Sequence, residues 1–171
     1  HQVAHFINQG MPGPAAALTA STFAIAQTIG VIAWATLARR IPLRFLLSAA
    51  GLMGAIGTIG IAASSTMIGG APSAFILGMA VGGFHLVLRL IFADYYGRQY
   101  LGSIRGLTIG AQISGQVLGP LIAGLMFDYT QSYWMPFLAF AVTVSLAALV
   151  VLAATPPGRP AGRPLELEAE D

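Results

Sequence analysis

Five runs of roughly 20 predominantly apolar residues, parted by short breaks, constrain this chain more than any other feature. They extend over approximately Pro14–Ala38, Leu43–Ala63, Pro72–Ala93, Ile104–Phe127 and Trp134–Ala154. A helix of that length crosses the ~30 Å hydrocarbon core of a bilayer. Inside hydrocarbon, every backbone polar group must be satisfied within the protein, which leaves helices as the available form for such runs. The opening segment, His1 to Gln9, reads as the end of a sixth helix. The expected fold is therefore an all-α membrane protein, with five full transmembrane helices and a partial first one. Composition agrees: 56% of the 171 residues are hydrophobic and 8% are charged, against about 25% charged in soluble domains.

The breaks carry turn chemistry. Gly10-Met11-Pro12-Gly13-Pro14 parts the partial helix from the first full one, and proline suits a first helical turn. Arg39-Arg40-Ile41-Pro42 ends that helix, because the residue before proline is pushed out of the α region. Ser64 to Pro72, Asp94 to Gly102 and Asp128 to Tyr133 read as the remaining loops. Residues 1–155 form the predicted transmembrane bundle. Residues 156–171, rich in Pro, Gly and Arg and then acidic, are predicted to be a disordered tail. The chain starts at His1 without methionine and shows no secretory leader, so its first helix reads as incomplete.

Arginine placement predicts orientation. Arg39, Arg40 and Arg44 follow the first full span, and Arg98 and Arg105 follow the third. Arg159 and Arg163 lie in the tail, and the intervening loops carry no basic residue. That alternation places the arginine loops and the C-terminus in the cytoplasm, with the cell membrane as the expected location. Tyr95, Tyr96, Tyr100, Tyr133 and Trp134 fall where an interfacial aromatic belt is expected. The net charge of +2 is scattered over helix ends and leaves no nucleic-acid footprint.

Several residue types exclude chemistry. Cysteine is absent, as is lysine, so thiolate sites and the lysine of a phosphate-binding loop are ruled out. The His1/His5 pair lacks the adjacent glutamate of a zinc protease, and no metal or cofactor is expected. Before the tail the only acids are Asp94 and Asp128, both near predicted helix ends, so paired-carboxylate catalysis is not expected and the chain does not read as an enzyme.

Three segments carry a family resemblance. Ala35-Thr36-Leu37-Ala38-Arg39-Arg40-Ile41-Pro42-Leu43-Arg44 resembles a degenerate Gly-x-x-x-Asp-Arg-x-Gly-x-Arg loop of the major facilitator superfamily. Arg40 and Arg44 match it, while Ala35, Arg39 and Pro42 replace the two glycines and the aspartate. Ala93 to Gly106, and Gly115 to Gly124 leading into Phe127 to Tyr133, resemble the tenth-to-twelfth helix region of the branch holding monocarboxylate and oxalate/formate carriers. The resemblance covers His1 to Pro156, read as helices seven to twelve. It implies the C-terminal half of a carrier working by alternating access, with a site near the midplane. Its partners would be the bilayer, a small-molecule substrate and the N-terminal half of the same chain.

Arg89 stands inside an otherwise apolar span, about 25 Å from Pro72, where charge is costly and usually functional. It can bind an anionic solute or snorkel to the interface. His85 lies one turn deeper on the same face. It can couple a proton to transport, or simply hydrogen-bond a neighbouring helix. Gln112 and Gln116, also one turn apart, form a polar stripe with Thr108, Gly115 and Gly119, and Pro120 is expected to kink that segment. Gln27 is the polar member of a stripe with Thr19, Phe23, Gly30 and Trp34. Each stripe serves either a cavity or interhelical packing.

Asp94, Arg98 and Arg105, with the Arg39–Arg44 loop, form a candidate cytoplasmic gate network, or act only as topology determinants. His1, His5 and Asn8 sit at the opposite end, as an extracellular gate or as polar residues in water. The spans at Leu43–Ala63 and Trp134–Ala154 hold no histidine, glutamine or charge, which marks them as lipid-facing. Glycines 51, 54, 57 and 60 in the first of these are expected to pack against neighbours. Together these features predict a secondary transporter of a small solute, an organic anion such as a carboxylate by the Arg89 reading. The alternatives are an efflux carrier for neutral or hydrophobic solutes and a non-transporting scaffold or sensor.

Overall fold

A computed structural model describes residues 2–96 and 101–153. Six helices follow in order: α1 (Gln2–Asn8), α2 (Gly13–Leu37), α3 (Leu43–Ala63), α4 (Met67–Tyr96), α5 (Leu101–Thr130) and α6 (Trp134–Ala153). There is no strand among the described residues. All but α1 are long and apolar enough to cross a membrane. His1, Arg98, Tyr100 and the tail predicted to be disordered lie outside the described residues.

The turns follow their sequences. Gly10 adopts φ 86°, a left-handed conformation open to glycine at little cost, and so reverses the chain between α1 and α2. Pro14 occupies the first turn of α2, where a missing N–H costs nothing. Gln131, at φ 53°, stops α5 in the manner of a left-handed C-terminal cap.

Three loops are shorter than expected, the one between α4 and α5 because α4 runs to Tyr96 and α5 starts at Leu101. α4 begins at Met67 instead of Pro72, and α5 runs to Thr130 instead of Phe127. Pro72 forfeits only the bond to the Ile68 carbonyl, and Ile68 is exposed near the helix start. At ~1.5 Å per residue, helices of 30 residues are about 45 Å long and overshoot the hydrocarbon, so apolar content alone undercounts them.

Packing centres on α4. Between α2 and α4, glycines bring the backbones together: a Cβ at Gly78 or Gly82 would collide with the carbonyl oxygens of Phe23 and Gln27. Trp34 lies over Gly83 and donates its Nε1–H to the Met79 carbonyl at 3.1 Å. The α3 glycines divide between two partners. Gly57 faces the Leu77 backbone and Gly60 faces Ser73, both on α4, while Gly51 faces Ala148 on α6. Ser48 in α3 donates to the Ala148 carbonyl at 2.9 Å. Two apolar cores result. Trp34, Leu46, Leu47, Ala50, Val87 and Ile91 fill the arginine-bearing end, and Phe6, Met11, Ala16 and Ile61 fill the other.

This arrangement gives α3 a packed face against α4 and α6, while Phe45, Leu52, Ile56 and Ile59 stay exposed on the side expected to meet lipid. α3 is the most enclosed span, with 56% of its most apolar window buried, against 6% for α5. Small residues let the backbones approach there, and the Ser48 hydroxyl adds a hydrogen bond across the α3–α6 contact.

Candidate functional site

α4 and α5 meet along a shallow cleft of ≈170 Å³, lined by His85, Leu88, Arg89 and Phe92 from α4 and by Arg105, Thr108, Ile109 and Gln112 from α5. The helical repeat explains both walls. His85, Arg89 and Phe92 recur at four- and three-residue spacing, as do Arg105, Thr108 and Gln112, so each set occupies one face. Leu88 and Ile109 flank them.

The amide of Gln112 and the imidazole of His85 meet at 3.0 Å between their Nε2 atoms. With the amide nitrogen as donor, the imidazole Nε2 must be the unprotonated acceptor. Turning the amide over presents its oxygen to an Nε2–H instead, so Gln112 can serve either protonation state of His85. His85 also contacts the edge of Phe84, with ring centroids 6.1 Å apart. Thr108 is already engaged, donating to the Ile104 carbonyl at 2.9 Å. Both guanidiniums of the cleft belong to solvent-exposed residues, and no carboxylate lines it.

Arg105 was expected in a gate with Asp94 and Arg98. Arg98 lies outside the described residues. Asp94 is five residues beyond Arg89, about 140° round the helix. It lines a different hollow, with Ala38, Ile41, Pro42, Leu43, Leu90 and Ala93. Asp94 and Arg105 therefore do not meet in this arrangement. Arg39 and Arg40 are exposed at the α2–α3 turn, and Arg44 is half-buried with its guanidinium 4.6 Å from the Phe45 ring centroid.

The other candidates separate from the cleft. Gln27 lies in the α2–α4 seam, where its backbone abuts Gly78 and Gly82. Gln116 is exposed, and Pro120 withholds the N–H that its carbonyl would otherwise accept, while α5 continues through to Thr130.

At the opposite end, His5 is buried, only 2% exposed, instead of sitting in water. Its Nε2 donates to the Ile61 carbonyl at 3.1 Å, and its ring meets Phe137 edge-on at 5.2 Å and Tyr133 at 6.0 Å. An imidazole with one bonded edge and an aromatic collar can be enclosed where a bare polar side chain cannot. Asn8 beside it is exposed.

The sequence profile of the Major Facilitator Superfamily matches residues 4–170. The chain belongs to the Major Facilitator Superfamily. No curated protein and no solved structure matches it. As a superfamily member with five apolar spans, the chain is an integral, multi-pass membrane protein of a class that carries small solutes by secondary transport rather than by enzymatic turnover. Arg105 is the cleft residue that the superfamily-like loop pattern concealed; its three- and seven-residue spacing to Thr108 and Gln112 is the signal that places it.

Proposed function

We propose that this superfamily member is a secondary carrier of a small organic anion, acting by alternating access against a second, N-terminal half. The observation that carries the reading is the composition of the α4–α5 cleft: Arg89 and Arg105 with His85 and Gln112, and no carboxylate among the lining residues. Arginine is permanently charged and presents a planar fork that matches a carboxylate. A carboxylic acid of the kind handled by the monocarboxylate and oxalate/formate branch fits that chemistry. Arg89 would hold the anion and His85 would take up the coupled proton, with Gln112 reorienting to follow it. Gln27 and Gln116 play no part in binding on this reading. The cleft lies toward the arginine-bearing end, about 16 Å along each helix from its nearer terminus to His85 and Gln112. That end would face the cytoplasm of a cell membrane, as its arginines favour.

The test is uptake of radiolabelled carboxylates by the full-length protein in proteoliposomes. Arg89→Ala is expected to lower uptake at least about tenfold, and Arg89→Lys to restore part of it. His85→Gln is expected to flatten the rise of uptake with external acidity. Carboxylate uptake that ignores both Arg89 substitutions removes Arg89 from the site. One observation favours a second reading: Arg89 is exposed and close to the arginine-bearing end, where it can reach lipid headgroups. On that reading the solute is neutral or hydrophobic, and a substrate screen finds transport that is indifferent to charge at residue 89.

A further inference from the structure

An apolar and a polar attachment hold α1 to the bundle. The Phe6 ring lies over Gly70 of α4, where a Cβ would collide with it. The neighbouring His5 donates its Nε2–H to the Ile61 carbonyl, which leaves Nδ1 of the neutral ring bare. Ile61 lies in the last turn of α3, where helix carbonyls lack partners within the helix. Phe6, Tyr133 and Phe137 close round the imidazole, with ring centroids 5.4, 6.0 and 5.2 Å away. A charged imidazolium in that collar gives up its hydration, and helix-end carbonyls and aromatic faces return only part of it.

No described residue supplies a counter-charge. Asp128, the acid at this end of the bundle, forms no ion pair with the ring. Tyr133 brings a phenol, and Ile61 and Ser64 of α3 and Phe137 of α6 bring no charged side chain. His1, one turn before His5, lies outside the described residues. The turn that follows α1 stands clear of its surroundings: a Cβ at Gly10 or Gly13 would meet nothing, and Gly10 holds φ 86°.

We infer that His5 is an acid-released latch, pinning α1 to α3 and α6 while its ring is neutral and freeing α1 to turn about Gly10 once the ring takes a proton. A free imidazole binds its proton near pH 6.5, whereas the closed latch holds the neutral ring. Closure is therefore fully favoured above about pH 6.5 and weakens as the pH falls below it. The latch lies at the opposite end of the bundle from His85 and does not depend on the anion-carrier reading. On the orientation that the arginines favour, acid on the outer face releases it.

The experiment is hydrogen exchange of the full-length protein in detergent at pH 7.5 and 5.5, with each rate divided by the intrinsic rate at that pH. Protection of α1 in the wild type is expected to fall about tenfold between the two, the factor by which protonation of a free imidazole favours the open state over that range. His5→Gln retains an amide donor for the Ile61 carbonyl but cannot titrate, and its α1 protection should change by less than about twofold. His85→Gln should keep the wild-type response, and the α2–α4 seam should show none in any variant. If His5→Gln does not fold, His5→Phe, which extends the aromatic cluster, takes its place with the same expectation.

A wild type whose α1 protection ignores pH, or rises in acid, overturns the latch. So does a response that survives in His5→Gln, or one shared equally by the α2–α4 seam, which would be general acid destabilisation.

Discussion

α4 meets α2 and α5 in opposite ways. Against α2 it presents glycines, and the two backbones come so close that a single methyl at Gly78 or Gly82 has no room. Against α5 it presents His85, Arg89 and a hollow. Gly102, Gly106, Gly110 and Gly115 on α5 face open space, although α5 carries six glycines to the five of α4. In lipid, helices gain nothing from burying apolar surface against each other that lipid tails do not already offer. Close dispersion contact and hydrogen bonds decide association instead. The α2–α4 seam has both, including the Trp34–Met79 bond, whereas the α4–α5 contact has essentially one polar tie. The bundle therefore divides into a tightly packed wedge of α2, α3, α4 and α6, and a helix that leans on it.

The contrast can be broken most directly by filling glycines on each side. Gly82→Leu should cost at least about 3 kcal/mol, enough to lose folded protein, because the overpacked backbone has no flexible side chain to displace. Gly110→Ala, facing open space, should be neutral or stabilising by up to about 1 kcal/mol. Thermal unfolding in detergent and the yield of monodisperse protein check both. Equal sensitivity at the two sites would abolish the distinction between wedge and leaning helix.

Next in size is the single tie. His85→Ala should weaken the α4–α5 association by about 1–2 kcal/mol and leave the wedge intact. The measurement is hydrogen exchange by helix, with faster exchange confined to α5. The absence of native cysteines also makes single-cysteine labelling along α5 a clean second probe. His5→Leu should cost about 1 kcal/mol, through loss of the bond to the Ile61 carbonyl within a retained aromatic collar, and should loosen α1 only. Smallest is Ser48→Ala, expected to lower stability by about 0.6 kcal/mol at the α3–α6 contact.

The same contrast explains what could be read from the sequence. The spans were legible because hydrocarbon thickness imposes a length on apolar runs, and Leu43–Ala63 was matched residue for residue. Their neighbours were not. Gly78 and Gly82 sit in a stretch where every residue is small or apolar, so nothing in the pattern says which face meets α2. The packed face of α3 was not told apart from its exposed one because a helix seam and a lipid face share apolar and small residues. On the site, the four-residue spacing joined His85 to Arg89, yet only the packing of α4 on α5 brought Gln112 to the imidazole. Arg105 was grouped with the loop because the alternation of arginines was read as topology, whereas it lies in the second turn of α5, which starts at Leu101. His5 showed no sign of burial, since its partners Ile61 and Phe137 lie far along the chain.

The hydroxyl of Ser48 reaches the carbonyl of a residue one hundred positions later. During synthesis, the groove beside Gly51 must wait, unfilled, while three more crossings emerge from the ribosome. A nascent chain halted before Trp134 would carry that groove open to lipid, or to any other helix with an alanine to offer. α6 thus closes a groove that α3 presents three crossings earlier, and a quality-control system that recognises exposed small-residue grooves would have a means of telling chains with α6 docked from chains without it.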